Sequence, residues 1–168
     1  LAYATASLAN RGQAIRPRLL RGLEDPGSGI ITHPTQRRGL TIKNNNSSSW
    51  DQIIAGMESV LHSSRGTARA SGRNSPYRIA GKTGTAQVVG IPQDRDDRSN
   101  ELPEELRDHA LFIAFAPVEQ PRIAIAVVVE NGGSGSRAAA PIARKIMDYY
   151  FIHRLKRASL RGIAHVFG

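Results

Sequence analysis

The chain has 168 residues, about 40% of them apolar, a formal charge of +9 and no cysteine. That is enough apolar material for one core, and the missing thiols exclude disulfides, Cys-ligated zinc and cysteine nucleophiles. No run of about eighteen apolar residues offers a membrane span, and Leu1-Ala2-Tyr3-Ala4-Thr5-Ala6-Ser7 lacks the features of a signal peptide, so any membrane attachment is expected outside these residues.

The chain opens without Met and directly in a helical pattern, which reads as an internal piece of a longer polypeptide. Residues Leu1 to Asn10, rich in Ala and Leu, predict a helix that ends before Gly12. Pro17, Pro26, Gly27, Gly29 and Pro34 then leave room only for short strands and turns as far as Arg38. After a polar link over Asn44 to Ser49, Ser49 and Gln52 form a capping-box pattern. The following Trp50, Ile53, Ile54, Met57, Val60 and Leu61 are apolar at helical spacing up to Gly66.

Tyr77 to Val89 alternates and reads as a strand with a close-approach point at its centre. Gly90 to Asp108 is a charged loop, interrupted by Pro92 and Pro103, of a length unusual in a compact domain unless functional. Ala110 to Ala116 and Arg122 to Glu130 are apolar, β-rich runs that predict a hairpin of buried strands. Asn131 to Ser136 predicts a flexible turn. Beyond it, Ala138 to Leu155 predicts a helix with Ile142, Ile146, Tyr149 and Tyr150 on one face. The order is helix, three strands, helix, with residues 1–155 as one unit and 156–168 as a basic tail.

The densest chemistry lies in Gly81-Lys82-Thr83-Gly84-Thr85, which places an ammonium, two hydroxyls and two positions free of side chain within one strand. Thr83 and Thr85 share a face of an ideal strand, ready to bind a carboxylate, and Gly84 lets a substrate backbone approach. Lys82 supplies charge to an anionic ligand or a proton relay. Strict alternation turns Lys82 away from the threonines, so a shared site requires a twisted or edge strand.

In the wider run Ile79-Ala80-Gly81-Lys82-Thr83-Gly84-Thr85-Ala86-Gln87-Val88 the segment resembles the third active-site motif of class B penicillin-binding proteins. These are the transpeptidases that cross-link peptidoglycan. His109-Ala110-Leu111-Phe112-Ile113-Ala114-Phe115-Ala116-Pro117 and Val127-Val128-Val129-Glu130-Asn131-Gly132-Gly133-Ser134-Gly135 are similar to later strands of the penicillin-binding protein 2 branch, which serves rod elongation. The similarity spans roughly Leu1 to Phe151.

The resemblance implies an α+β transpeptidase fold shared with serine β-lactamases, an antiparallel sheet with helices on both faces, of which this chain supplies the C-terminal part. It implies Lys82 in a cationic relay, Thr83, Gly84 and Thr85 binding the substrate carboxylate and backbone, and the Thr85 amide donating to the oxyanion. It further implies stem peptides, β-lactams, the rest of the parent polypeptide and the elongation machinery as partners, no cofactor, and the periplasmic face of the bacterial inner membrane as location. The nucleophile is absent from this chain: none of its four lysines follows a serine by three residues, and no asparagine follows a serine by two. A chain that begins after those motifs and a degenerate relative both fit that absence. A D,D-carboxypeptidase or β-lactamase would share Lys-Thr-Gly but not the flanking runs.

Other patterns carry less. The charge of +9 suits nucleic acid, but interleaved aromatics, a recognition helix and a concentrated patch are lacking, so no nucleic-acid partner is expected. Gly133-Ser134-Gly135-Ser136-Arg137-Ala138 fits a dinucleotide fingerprint without the further strand and acidic residue such a fold needs. The five histidines are isolated, and the Asp94 to Asp97 loop lacks the glycine of a calcium turn, so no metal is expected.

Overall fold

A computed structural model describes residues 1–35, 37–42, 47–88 and 103–154. The first helix, α1 (Ala2–Ala9), stops as expected: Arg11 and Gly12 both take positive φ, 52° and 88°. Only glycine fits at the second of these, since a Cβ there would lie 2.7 Å from the Ile42 carbonyl oxygen and 2.7 Å from the Trp50 ring. The Pro- and Gly-rich stretch that follows forms β1 (Gln13–Ile15), β2 (Leu23–Glu24), β3 (Ile31–Thr32) and β4 (Arg38–Thr41). They pair antiparallel as β1–β4, with an irregular register, and β2–β3. The β2–β3 turn is tied by the Asp25 carboxylate, which accepts from the Gly27 and Ser28 amides.

Helix α2 (Ser47–His62) is already formed at Ser47, which corrects the capping-box expectation: Ser49 sits inside the first turn and cannot be the cap. Of its expected apolar stripe, Trp50, Ile54, Met57 and Leu61 are buried and Val60 is partly buried, whereas Ile53 is 44% exposed. A short helix, α3 (Arg69–Gly72), precedes the main sheet of β5 (Ala80–Ala86), β6 (His109–Ala116) and β7 (Ile123–Val129). This sheet is antiparallel in the order β5-β6-β7, so β5 is an edge strand and β6 is central. The expected strand over Tyr77 to Val89 is thus shorter. Most of the charged loop, the acidic Asp94 to Asp97 segment, Leu155 and the tail over 156–168 lie outside the described residues.

Alternation along β6 divides the core. Phe112, Ala114 and Ala116 face the last helix and the end of α2, packing with Leu61, Ala68, Ile79, Ala140, Ala143 and Met147. Phe115 and Ile113 face the other way, onto Leu8, Ile54 and Met57 of α1 and α2. The β-rich runs therefore have helices on both faces, as the sequence predicts.

The last helix departs from expectation in its orientation. A wide turn at Gly135–Ala139 leads into α4 (Ala140–Tyr149), and Tyr150–Arg154 ends in another wide turn. Ala139, Ala140, Ala143 and Met147 are buried, while Ile142, Ile146 and Tyr149 are 42%, 44% and 67% exposed. The small residues win the inward face because alanines let the helix axis approach the sheet closely, which larger side chains would prevent.

Arg144 locks α4 to the segment before β5. Its guanidinium donates to Asp148 at 2.8 Å, to the Ser71 carbonyl at 2.8 Å and to the Arg73 carbonyl at 3.2 Å. Tyr77 donates to the same Asp148 at 2.6 Å, and its hydroxyl pKa is driven up by burial and then by that carboxylate. Arg144→Ala removes the donor from one carboxylate and three carbonyls, the third being that of Asn74 at 3.4 Å. It is expected to destabilise the protein by about 2 kcal/mol in urea unfolding, toward the lower end for a partly solvated pair.

Candidate active-site strand

The edge of β5 is divided into a closed end and an open end. At the closed end, the Ile79 amide donates to His62 Nε2 at 3.0 Å, so α2 caps the edge where the strand starts. From Lys82 to Ala86 no strand among the described residues pairs with the outer side. An unpaired stretch of strand presents its amides and carbonyls to any extended peptide that lies against it.

Lys82 pairs across the sheet with Ile113, and Thr83 and Thr85 with Phe112 and Ala110. The lysine therefore starts on the opposite face from the two threonines, as alternation requires. Its ammonium nevertheless reaches the shared edge by folding back to donate to the Thr83 carbonyl at 2.7 Å. That carbonyl consequently points away from β6, and because backbone groups alternate, the Thr85 amide points outward as well while Gly84 bonds into the ladder. The cation, the Thr83 carbonyl and the Thr85 amide thus line one open edge.

A further threonine joins the cluster: Thr67 Oγ1 lies 3.4 Å from Thr83 Oγ1. It sits in the turn after α2, where a Cβ on Gly66 would fall 2.4 Å from the Val60 carbonyl oxygen, so only a glycine allows so tight a bend. Residue type and spacing alone give Thr67 no place in the site. The signal available was a glycine and a threonine at a helix end ahead of the strand.

The dinucleotide-like Gly133-Ser134-Gly135 has a packing origin. Gly135 is buried, and a Cβ on it would lie 2.3 Å from the Leu111 carbonyl oxygen and 2.6 Å from that of Gly84. The turn expected to be flexible is held against the sheet, with Gly133 N–H donating to the Asp108 carbonyl at 2.8 Å. Three histidines have ordinary partners: His62 and His109 accept from the Ile79 and Asn131 amides, and His33 Nδ1 lies 2.9 Å from the Arg21 carbonyl oxygen. Among the described residues no cluster of three ligating side chains could hold a metal.

Comparison with known proteins gives this edge strand a family. The family model described as the penicillin-binding protein transpeptidase domain matches residues 1–148. The chain belongs to that family. It is 38% identical over 157 residues to the peptidoglycan D,D-transpeptidase MrdA of Haemophilus influenzae, covering 92% of this chain and 24% of that protein.

Penicillin-binding protein 2 of Pseudomonas aeruginosa superposes with a TM-score of 0.71 at 41% identity, over 90% of this chain and 29% of that one. Penicillin-binding protein 2 of Helicobacter pylori, solved in complex with MreC, gives a TM-score of 0.63 at 25% identity, over 89% and 23%. The mixed α+β transpeptidase fold expected from the strand motifs is the fold observed. The chain spans about a quarter of the length of the relatives it matches.

Proposed function

We propose that this chain supplies the substrate-binding strand of a bacterial peptidoglycan D,D-transpeptidase whose nucleophilic serine stands elsewhere in the same polypeptide. The observation that carries the reading is the open edge of β5, where the Lys82 ammonium meets the Thr83 carbonyl in an extended strand with no outer partner. A stem peptide ending in D-Ala-D-Ala would lie along this edge as an added strand, its terminal carboxylate against the Thr83 and Thr85 hydroxyls and its backbone beside Gly84.

In the reaction, the serine oxygen attacks the penultimate D-Ala carbonyl, and the negative charge that develops on the carbonyl oxygen is met by the outward Thr85 amide. Such a donor stabilises a tetrahedral intermediate by roughly 3 kcal/mol in the best-studied protease. The C–N bond to terminal D-Ala then breaks, its amine takes the serine proton through a relay that includes Lys82, and an amine of a second strand displaces the serine. β-Lactams would acylate the same serine. The relatives' names support peptidoglycan as the substrate, and the Helicobacter complex supports a MreC-like partner; a place at the periplasmic face of the inner membrane, with the elongation machinery, belongs to the same proposal.

The test is covalent labelling by a fluorescent penicillin. The full-length polypeptide should be labelled on a serine of an S-x-x-K motif preceding Leu1, and the 168-residue chain alone should not be labelled. Labelling of any residue within this chain, or a full-length polypeptide without that motif, would overturn the reading.

A further inference from the structure

Thr67 stands in the turn between α2 and α3, with its side chain exposed. A threonine ahead of a short helix often caps it, but the cap position of α3 is taken by Ala68. The Thr67 hydroxyl meets β5 instead, with Oγ1 3.4 Å from Thr83 Oγ1.

The turn holds that hydroxyl firmly. The Gly66 amide donates to the Ser63 carbonyl at 3.2 Å, the Ala68 amide to the Val60 carbonyl at 2.9 Å and the Arg69 amide to the Gly66 carbonyl at 3.1 Å. Ala68 is 2% exposed and belongs to the core with Leu61 and Phe112, so Thr67 is anchored on the side toward the sheet and open on the other.

A separation of 3.4 Å exceeds the roughly 2.7 Å of a good bond between two hydroxyls. It suits two donors that share a third partner, since both can reach one carboxylate at the roughly 2.6 Å of a charge-assisted O–H···O⁻ bond. Thr83 and Thr85, by contrast, stand two residues apart, about 7 Å along an ideal strand, and their hydroxyls must lean together to grip one carboxylate. The surroundings favour an anion. Residues 63–73 include Arg65, Arg69 and Arg73 and no acidic residue, and Lys82 adjoins Thr83.

We propose that Thr67 is a binding residue of the reaction: a third hydroxyl, supplied from outside the Lys-Thr-Gly strand, that donates to the C-terminal carboxylate of the acyl-donor peptide alongside Thr83 and Thr85. The turn between α2 and α3 thereby helps to select donors that end in a free carboxylate. The inference rests on the transpeptidase reading and adds a specificity residue to its site.

The experiment uses the full-length polypeptide with benzylpenicillin and its methyl ester, which differ only in the free carboxylate. The wild type should be acylated faster by the acid. Thr67→Val keeps the shape of the side chain and removes the hydroxyl, so it should lower the acid-to-ester ratio of second-order rate constants about fivefold, whereas Thr67→Ser should keep most of it. Thr67→Val added to Thr83→Val should lower the ratio further, because each hydroxyl touches the carboxylate directly. An unchanged ratio in Thr67→Val, whether both rates hold or both fall as a displaced turn would make them, would overturn the proposal. So would the lack of a further loss in the Thr83→Val background. A wild type that neither agent acylates, or that takes acid and ester alike, would instead overturn the transpeptidase reading and its carboxylate site.

Discussion

Lys82→Ala in the full-length polypeptide should lower the second-order rate of acylation by benzylpenicillin about a hundredfold or more, the range expected when a positioned proton-transfer group is lost. Stability should change by no more than about 0.5 kcal/mol. The separation follows from the geometry. Lys82 is exposed, and its ammonium donates to the Thr83 carbonyl on the outer edge of β5. Removing it leaves no buried group unsatisfied, so only chemistry is lost.

Lys82→Arg sharpens the test. Arginine keeps the positive charge but does not give up a proton in proteins, so it would rescue a purely electrostatic role and fail to rescue a relay. Thr83→Val should weaken acylation by a smaller factor, about tenfold, because it deletes one neutral hydrogen bond to the carboxylate. Stopped-flow acylation with all three variants separates the two roles of the edge.

The main sheet was legible in the sequence because its signals are local. Phe112, Ala114 and Phe115 lie in an unbroken apolar run, and such a run can only be a buried strand or helix; its length and the Pro117 that follows it decide for the strand. The Lys-Thr-Gly segment was legible because its residue types have few structural uses together. What escaped were features set by partners distant in sequence. Arg144 is one of many arginines until the fold brings Ser71 and Asp148 to it. Thr67 joins Thr83 only because α2 ends beside β5.

The buried face of α4 escaped for a related reason. Hydrophobic periodicity favours Ile142, Ile146 and Tyr149, yet the sheet accepts the narrower face of Ala140, Ala143 and Met147. Periodicity reports that a helix has an apolar stripe. It does not say which stripe fits a given surface when a second, smaller one is present.

The largest effect on stability should come from Gly135→Ala, at about 3 kcal/mol, read as a fall in the midpoint of urea unfolding with the slope unchanged. The added methyl would sit 2.3 Å from the Leu111 carbonyl oxygen and 2.6 Å from the Gly84 carbonyl oxygen. Both are backbone atoms of paired strands, so relief requires moving α4 or β5 instead of rotating a side chain. Gly133→Ala is the control. That residue has φ of 68° with nothing within 4 Å of its Cβ position, so it should suffer only the strain of a left-handed alanine, about 1 kcal/mol. If the two glycines served a mobile or nucleotide-binding loop, the variants would behave alike. If Gly135 serves packing, its variant alone should also slow penicillin acylation of the full-length polypeptide, because the strand it displaces carries Lys82, Thr83 and Thr85.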